Sequence, residues 1–341
     1  MKQSFSPKKI VTYWLYLGIL LVLGMVVIGG ITRLTHSGLS MVHWSFTGSL
    51  PPTSDGAWQQ EFERYQDSPQ FKEVHSHFTL AEFQSIYWWE YIHRMFGRMI
   101  GVIFIVPFVF FLWKSWIPKG MLKHFFIILG LGAFQAFLGW FMVKSGLVDV
   151  PRVSQYRLAA HLATAFIACG YIFWVALRYR NHGQEFKEAS NARTLVAWIG
   201  LAVFVQIIWG AFVAGLRAGW IHNTWPLMDG EWVAPAVTAM EPFISNFFEG
   251  RSGVQFVHRT WGMIVFILAL VLWKQSRKWS EEQRVGASLL SVAIGIQFLL
   301  GVVTLLLEVP MFMGVIHQVF ALVVLLSVVY LYYLHSFRRS K

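Results

Sequence analysis

Four histidines stand out by type and spacing: His93, His161, His258 and His317. The first and third open matching stretches, "HRMFG" and "HRTWG", each at the start of a long apolar run. The second and fourth sit in "RLAAHL" and "MGVIHQ", again just inside apolar runs. An ionisable side chain at that depth is costly without a partner, so it marks function. Neutral imidazole binds Zn, Cu, Fe or Ni. A closed zinc site wants four protein ligands, whereas each half of this chain supplies only two strong histidines. Two histidines on facing helices suit the axial positions of a haem iron, with the macrocycle giving the other four donors. The pairing expected is His93 with His161 and His258 with His317.

One acid breaks the symmetry. Glu90 stands three residues before His93, while Gln255 holds that place before His258. A carboxylate relays protons and a neutral amide does not in the same way. Glu90 is therefore the candidate catalytic group, and a helix-start acid favourable to the dipole is the plainer alternative. Arg94, Arg98, Arg157, Arg217, Arg251 and Arg259 lie near the same ends of the runs and can meet anionic groups such as propionates. Snorkelling at an interface is the plainer alternative for each arginine.

These residues need helices in a membrane to position them. The chain has 341 residues, 56% hydrophobic and only 13% charged, with mean hydropathy +0.53. Soluble domains carry roughly 25% charged residues. Apolar runs of bilayer-crossing length predict eight spans, near 11–31, 94–113, 124–143, 157–177, 194–214, 256–273, 285–307 and 312–334. No polar/apolar alternation supports a β-barrel. The expected fold is an all-α integral membrane protein. The first run is too long for a cleaved signal and reads as a retained span. No arginine-rich transit segment precedes it, which favours a bacterial membrane.

Charge sets the orientation. Lys2, Lys8, Lys9, Lys114, Lys119, Lys123, Arg178, Arg180, Lys187, Arg193, Lys274, Arg277, Lys278, Arg284, Arg338, Arg339 and Lys341 share one side with only Glu185, Glu188, Glu281 and Glu282. The remaining 13 of the 17 acids lie on the other. Basic short loops face the cytoplasm, so both termini are expected inside and the loops 34–92 and 215–255 outside. Trp88 and Trp89 at one boundary, and Trp113, Trp116 and Trp279 at the other, agree. The formal net charge of +11 thus reads as topology, with lipid and not nucleic acid as the partner. An amphipathic helix near 58–65 could roof the outer end. The lone Cys169 excludes an internal disulfide or a cysteine cluster.

The second four spans echo the first. Gln135–Gly139 ("QAFLG") matches Gln297–Gly301 ("QFLLG"), and Gly29 and Gly38 match Gly210 and Gly219. Two parallel repeats of four spans predict two pseudosymmetric four-helix bundles, 1–180 and 181–341. Gly97, Gly101, Gly130, Gly132 and Gly139, with Gly262, Gly295 and Gly301, let helices part or approach. Interhelical hydrogen bonding accounts for Gln135 and Gln297 without chemistry.

The stretches "GGITRLTHSGLSM", "WWEYIHRMFGRMIG", "QAFLGW", "RLAAHL", "HRTWG", "QFLLG" and "GVIHQ" resemble the haem A synthase family, the CtaA/Cox15-like membrane enzymes, along nearly the whole chain. The resemblance implies conversion of haem O to haem A for terminal oxidases. The C8 methyl would be hydroxylated twice, and the resulting diol would lose water to leave a formyl group. His258 and His317 would ligate a resident haem b, the electron relay. His93 and His161 would ligate the substrate haem, with Glu90 as the acid beside it. A bacterial cytoplasmic (inner) membrane and haem sites toward the periplasm are implied. Haem O synthase, oxidase assembly factors and an electron donor are the expected partners. Some members, notably from Gram-positive bacteria, carry loop cysteine pairs. This chain has none and looks like the proteobacterial and mitochondrial-type branch. The histidines alone equally allow a non-catalytic di-haem b electron carrier, and a transporter or haem-insertion chaperone is a third reading.

Overall fold

A computed structural model describes residues 6–43, 48–146, 153–183, 186–187 and 192–339. Lys2, Glu185, Glu188 and Lys341, which enter the charge argument, lie outside the described residues. Eight helices are long and apolar enough to cross a membrane. They are α1 (Pro7–Leu34), α3 (Leu80–Trp113), α4 (Lys119–Gly146), α5 (Gln155–Arg180), α6 (Ala192–Gly215), α7 (Arg251–Ser276), α8 (Glu281–Leu306) and α9 (Met311–Ser336). A shorter helix, α2 (Asp55–Gln66), precedes α3. Residues 186–187 and 338–339 form a two-residue antiparallel pair. The protein is an all-α multi-pass membrane protein whose solvent is lipid.

Local chemistry sets the helix starts. Ser6 caps α1 with Pro7 in its first turn, the arrangement that satisfies orphan N–H groups and presets φ. Thr79 and Glu82 form a capping box at α3. That box starts α3 fourteen residues before the expected 94. Glu90 and His93 therefore lie well inside the helix, and the helix-start explanation of Glu90 falls away. The apolar run ends early because Glu82, Gln84 and Glu90 break it, yet the backbone continues helical.

The expected helix near 58–65 is α2. It packs Phe62 and Tyr65 against Phe83, with ring centroids 5.3 and 4.9 Å apart. A short π-turn, Phe71–His75, follows.

Helices α1, α5, α6 and α9 pack on one another at the centre, with α3, α4, α7 and α8 outside them. One continuous apolar core draws on all eight membrane helices. The helices of both sequence repeats thus share one core. At their junction, matched residues meet: the Arg217 guanidinium lies 3.2 Å from His36 Nδ1. Both stand in the left-handed region, at φ 53° and 56°.

Candidate functional site

A single cavity of about 2200 Å³ runs through both halves. That is more than twice the roughly 1,000 Å³ upper range of drug-sized ligand pockets. His93, His161, His258 and His317 all line it, each half-buried. His161, His258 and His317 fall seven or eight residues into α5, α7 and α9. The longer start of α3 brings His93 to the same end.

Each ring rests on a glycine of a neighbouring helix. A Cβ on Gly29 (α1) would stand 3.1 Å from Cε1 of His93, and one on Gly210 (α6) 3.1 Å from Cε1 of His258. On Gly139 (α4) it would meet His161 at 3.5 Å, and on Gly301 (α8) His317 at 2.9 Å. Four glycines, matched by the repeat, seat four imidazoles. Glutamines brace three of them through the backbone. Gln135 donates to the His161 carbonyl (2.9 Å), Gln297 to that of His317 (3.0 Å) and Gln206 to that of His258 (2.9 Å). The position matching Gln206 in the first half is Met25. A thioether donates nothing, so His93 lacks this brace.

The His258 and His317 ring centroids are 6.4 Å apart and their planes lie at 88°. Two metal–nitrogen bonds of about 2.0–2.1 Å, added to the distance from each ring centre to its nitrogen, span that gap. Among the described residues no three His, Cys, Asp or Glu side chains converge on a metal position. Two imidazoles with room around them suit a metal whose remaining donors come from a flat macrocycle. Nδ1 of His93, His161 and His258 is buried without a hydrogen-bond partner.

Glu90 lines the cavity but is only 2% exposed. Its carboxylate accepts from Ser40 Oγ (2.7 Å) and Met41 N (2.7 Å) and pairs with Arg94. Arg94 also donates to the carbonyls of Met41 and His43. The second half builds the same joint with other polarity: Gln255 donates to the carbonyls of Ala218 (3.0 Å) and Ile221 (2.5 Å). Arg259 donates to those of His222, Thr224, Pro226 and Leu227. Each Arg/acid-or-amide pair therefore pins the loop that follows α1 or α6 onto α3 or α7.

Five of the six candidate arginines, Arg94, Arg98, Arg217, Arg251 and Arg259, line the cavity. Arg157 does not; its guanidinium lies 4.8 Å over the Phe141 ring. Arg33 also lines the cavity, donating to the Ala214 and Gly215 carbonyls, and sequence reasoning passed over it. Its counterpart under the repeat is Ala214, so comparing halves gives no hint, although it stands within the quoted "GGITRL". Over this end lie Gln70, Glu73 and Val74, which line the cavity; this segment, and not the helix expected near 58–65, covers it, while Phe62 and Tyr65 of α2 pack behind on Phe71. Gln70 donates to the His36 carbonyl (2.9 Å), and Tyr65 joins Gln70 (3.1 Å) and His75 (2.7 Å). Burial, then the guanidiniums of Arg217 and Arg33 and the His75 ring, lower the His36 imidazole to about 4. At neutral pH His36 is uncharged and free to accept from Arg217.

His222 lies 2.5 Å from Asp229 and 2.9 Å from the Ser252 hydroxyl, the order of a hydrolytic triad. Ser252 is buried and off the cavity wall, while Asp229 is exposed. These contacts clasp the loop after α6 to the first turn of α7.

The family model described as cytochrome oxidase assembly protein, COX15-CtaA, matches residues 12–329. Proteins named heme A synthase are similar over almost the entire length. That of Flavobacterium psychrophilum is 47% identical, covering 97% of this chain and 99% of its own. That of Flavobacterium johnsoniae is 45% identical over 95% and 97%, and that of Nitrosospira multiformis 43% over 99% and 96%. The matched span takes in all four histidines, their glycine seats and Glu90, and on that footing the chain belongs to the COX15-CtaA family.

Proposed function

We propose that this protein oxidises haem O to haem A, converting the C8 methyl to a formyl group by successive hydroxylations. The observation that carries the reading is one cavity holding two matched histidine pairs, only one of which has a carboxylate beside it. The named activity of relatives alike from end to end supports it. In this reading residues 1–180 form the substrate half and 181–341 the half with a resident haem b. His258 and His317 would hold that haem's iron, and a bound haem b would supply one-electron transfer. His93 and His161 would hold the substrate haem, their seats on Gly29 and Gly139 fixing the ring planes. Arg33, Arg98, Arg217 and Arg251 bring positive charge to the cavity end where propionates would lie. Glu90 stands one helical turn before His93 and orients Arg94. Haem O synthase, oxidase assembly factors and an electron donor are the proposed partners.

The competing reading is a non-catalytic di-haem b electron carrier. It draws on Glu90 doing the same loop-pinning as Gln255. Haem extracted from cells making this chain beside a haem O source separates the two. Formyl haem is the expected product, and unchanged haem O would leave the carrier.

We also propose that the membrane is the bacterial inner membrane, with the long loops and the histidine end toward the periplasm, supported by the basic short loops. A reporter fused after Lys341 is expected to be active only when it is a cytoplasmic reporter, and one inserted near Asp55 only when it is a periplasmic one. The reverse pattern would invert the orientation.

A further inference from the structure

The two halves differ where their flanking helices meet. Helices α7 and α8 pack along much of their length, whereas their counterparts α3 and α4 barely touch. The cause is legible in matched positions. In the second half Phe266 of α7 stacks on Phe298 of α8, centroids 5.2 Å apart and planes 22° apart. Trp225 meets Phe298 edge-on at 5.6 Å, and Gly295 lets Phe266 in, with a Cβ there 3.8 Å from the ring. The residues matching Phe266 and Phe298 in the first half are Gly101 and Ala136. A Cβ on Gly101, Gly130 or Gly132 would meet nothing within 4 Å.

The cavity reaches the side of the bundle at this gap. Val102 and Val106 of α3 and Phe137 of α4 line it, yet are 60%, 63% and 50% exposed. A side chain can do both only where the cavity opens laterally, and here the opening faces what would be the hydrocarbon layer. Its rim is apolar, so it admits apolar matter and repels the charged edge of a porphyrin.

We propose that the α3–α4 gap is a side portal that seats the isoprenoid tail of the substrate haem, and that the Phe266–Phe298 stack denies the second half any tailed haem. The inference rests on the proposed function and deepens it. A rigid macrocycle can sit between histidines in either half. A long flexible tail needs an apolar way out of the bundle, and among the described residues the first half has one at the α3–α4 gap where the second half has the Phe266–Phe298 stack. Sorting of haem O from haem b between the halves then follows from two positions per half.

The test uses full-length protein in lipid nanodiscs, with haem O and haem b as separate probes. Bound haem is extracted and quantified by chromatography, and spectra report the second-half site. Gly101→Phe with Ala136→Phe copies the second-half plug into space that is open. Haem O retained by the first half is expected to fall at least tenfold, with the second-half haem b spectrum unchanged. The reciprocal Phe266→Gly with Phe298→Ala is expected to let the second half retain haem O. If the plugged protein accumulates poorly, Gly101→Leu alone narrows the gap and is expected to weaken haem O binding in the same direction. Wild-type haem O binding by the plugged or narrowed protein would overturn the portal. Equal loss of haem O and haem b from the first half would overturn the tail assignment, because the gap would then admit the macrocycle itself. Failure of the functional reading shows separately: wild-type protein would neither bind nor convert haem O.

Discussion

His258→Ala or His317→Ala should abolish the low-spin b-type absorption of the purified protein, because either change leaves a haem iron one axial ligand short. The geometry makes the expectation sharper than ligand loss alone. The two rings face each other across 6.4 Å, and each is fixed by a glycine behind it and a glutamine above it. Gly301→Val should therefore act nearly as strongly with the ligand intact. A Cβ there would come within 2.9 Å of the His317 ring, which must swing toward the cavity it lines and leave its place opposite His258. A seat variant that loses the spectrum while the protein keeps its yield and thermal transition places the effect at the histidine. Retention of the full wild-type spectrum in both alanine variants would remove the haem from this half. First-half variants at His93 and Gly29 should leave this spectrum in place, since the sites share no ligand.

The eight spans and the placing of four histidines on one cavity wall were legible because each rests on a local pattern, an apolar run or a matched motif. What escaped depends on distant partners. Gly29, Gly139, Gly210 and Gly301 read in sequence as helix-packing residues, and only the fold shows an imidazole against each. Arg33 reads as a helix-end cation, and its turn toward the cavity is set by the Ala214 and Gly215 carbonyls on another helix. The start of α3 was hidden because charged residues lower hydropathy without breaking a helix that has a capping box. Gly101 and Ala136 lie within the quoted "WWEYIHRMFGRMIG" and "QAFLGW" stretches, where nothing in the sequence marks their role. Their meaning appears only beside Phe266 and Phe298, once the repeat has been superposed on real packing.

Glu90→Gln should cut formyl haem output by roughly 10²–10⁴-fold, the usual cost of losing a positioned acid–base group, with haem still bound in both halves. The substitution keeps size and makes the first half resemble the second, where Gln255 occupies the matched position. It is not silent structurally. Glu90 accepts from Ser40, Met41 and Arg94, and an amide can present its oxygen to only part of that set. Arg94 then loses its anionic partner in a buried place, where breaking a pair costs up to about 3–5 kcal/mol. Ser40→Ala supplies the contrast: it removes one hydrogen bond from the same joint and leaves the carboxylate. If Glu90 serves the chemistry, Ser40→Ala keeps most turnover per haem-loaded molecule while Glu90→Gln loses it. If Glu90 only pins the loop after α1, the two variants should instead lose thermal stability and first-half haem occupancy together, and turnover per loaded molecule should stay near wild type in both. The quantity to measure is therefore product haem per mole of folded protein with both halves filled. Wild-type turnover on that scale in Glu90→Gln would sink the catalytic role of the carboxylate and leave it as the first-half equivalent of Gln255.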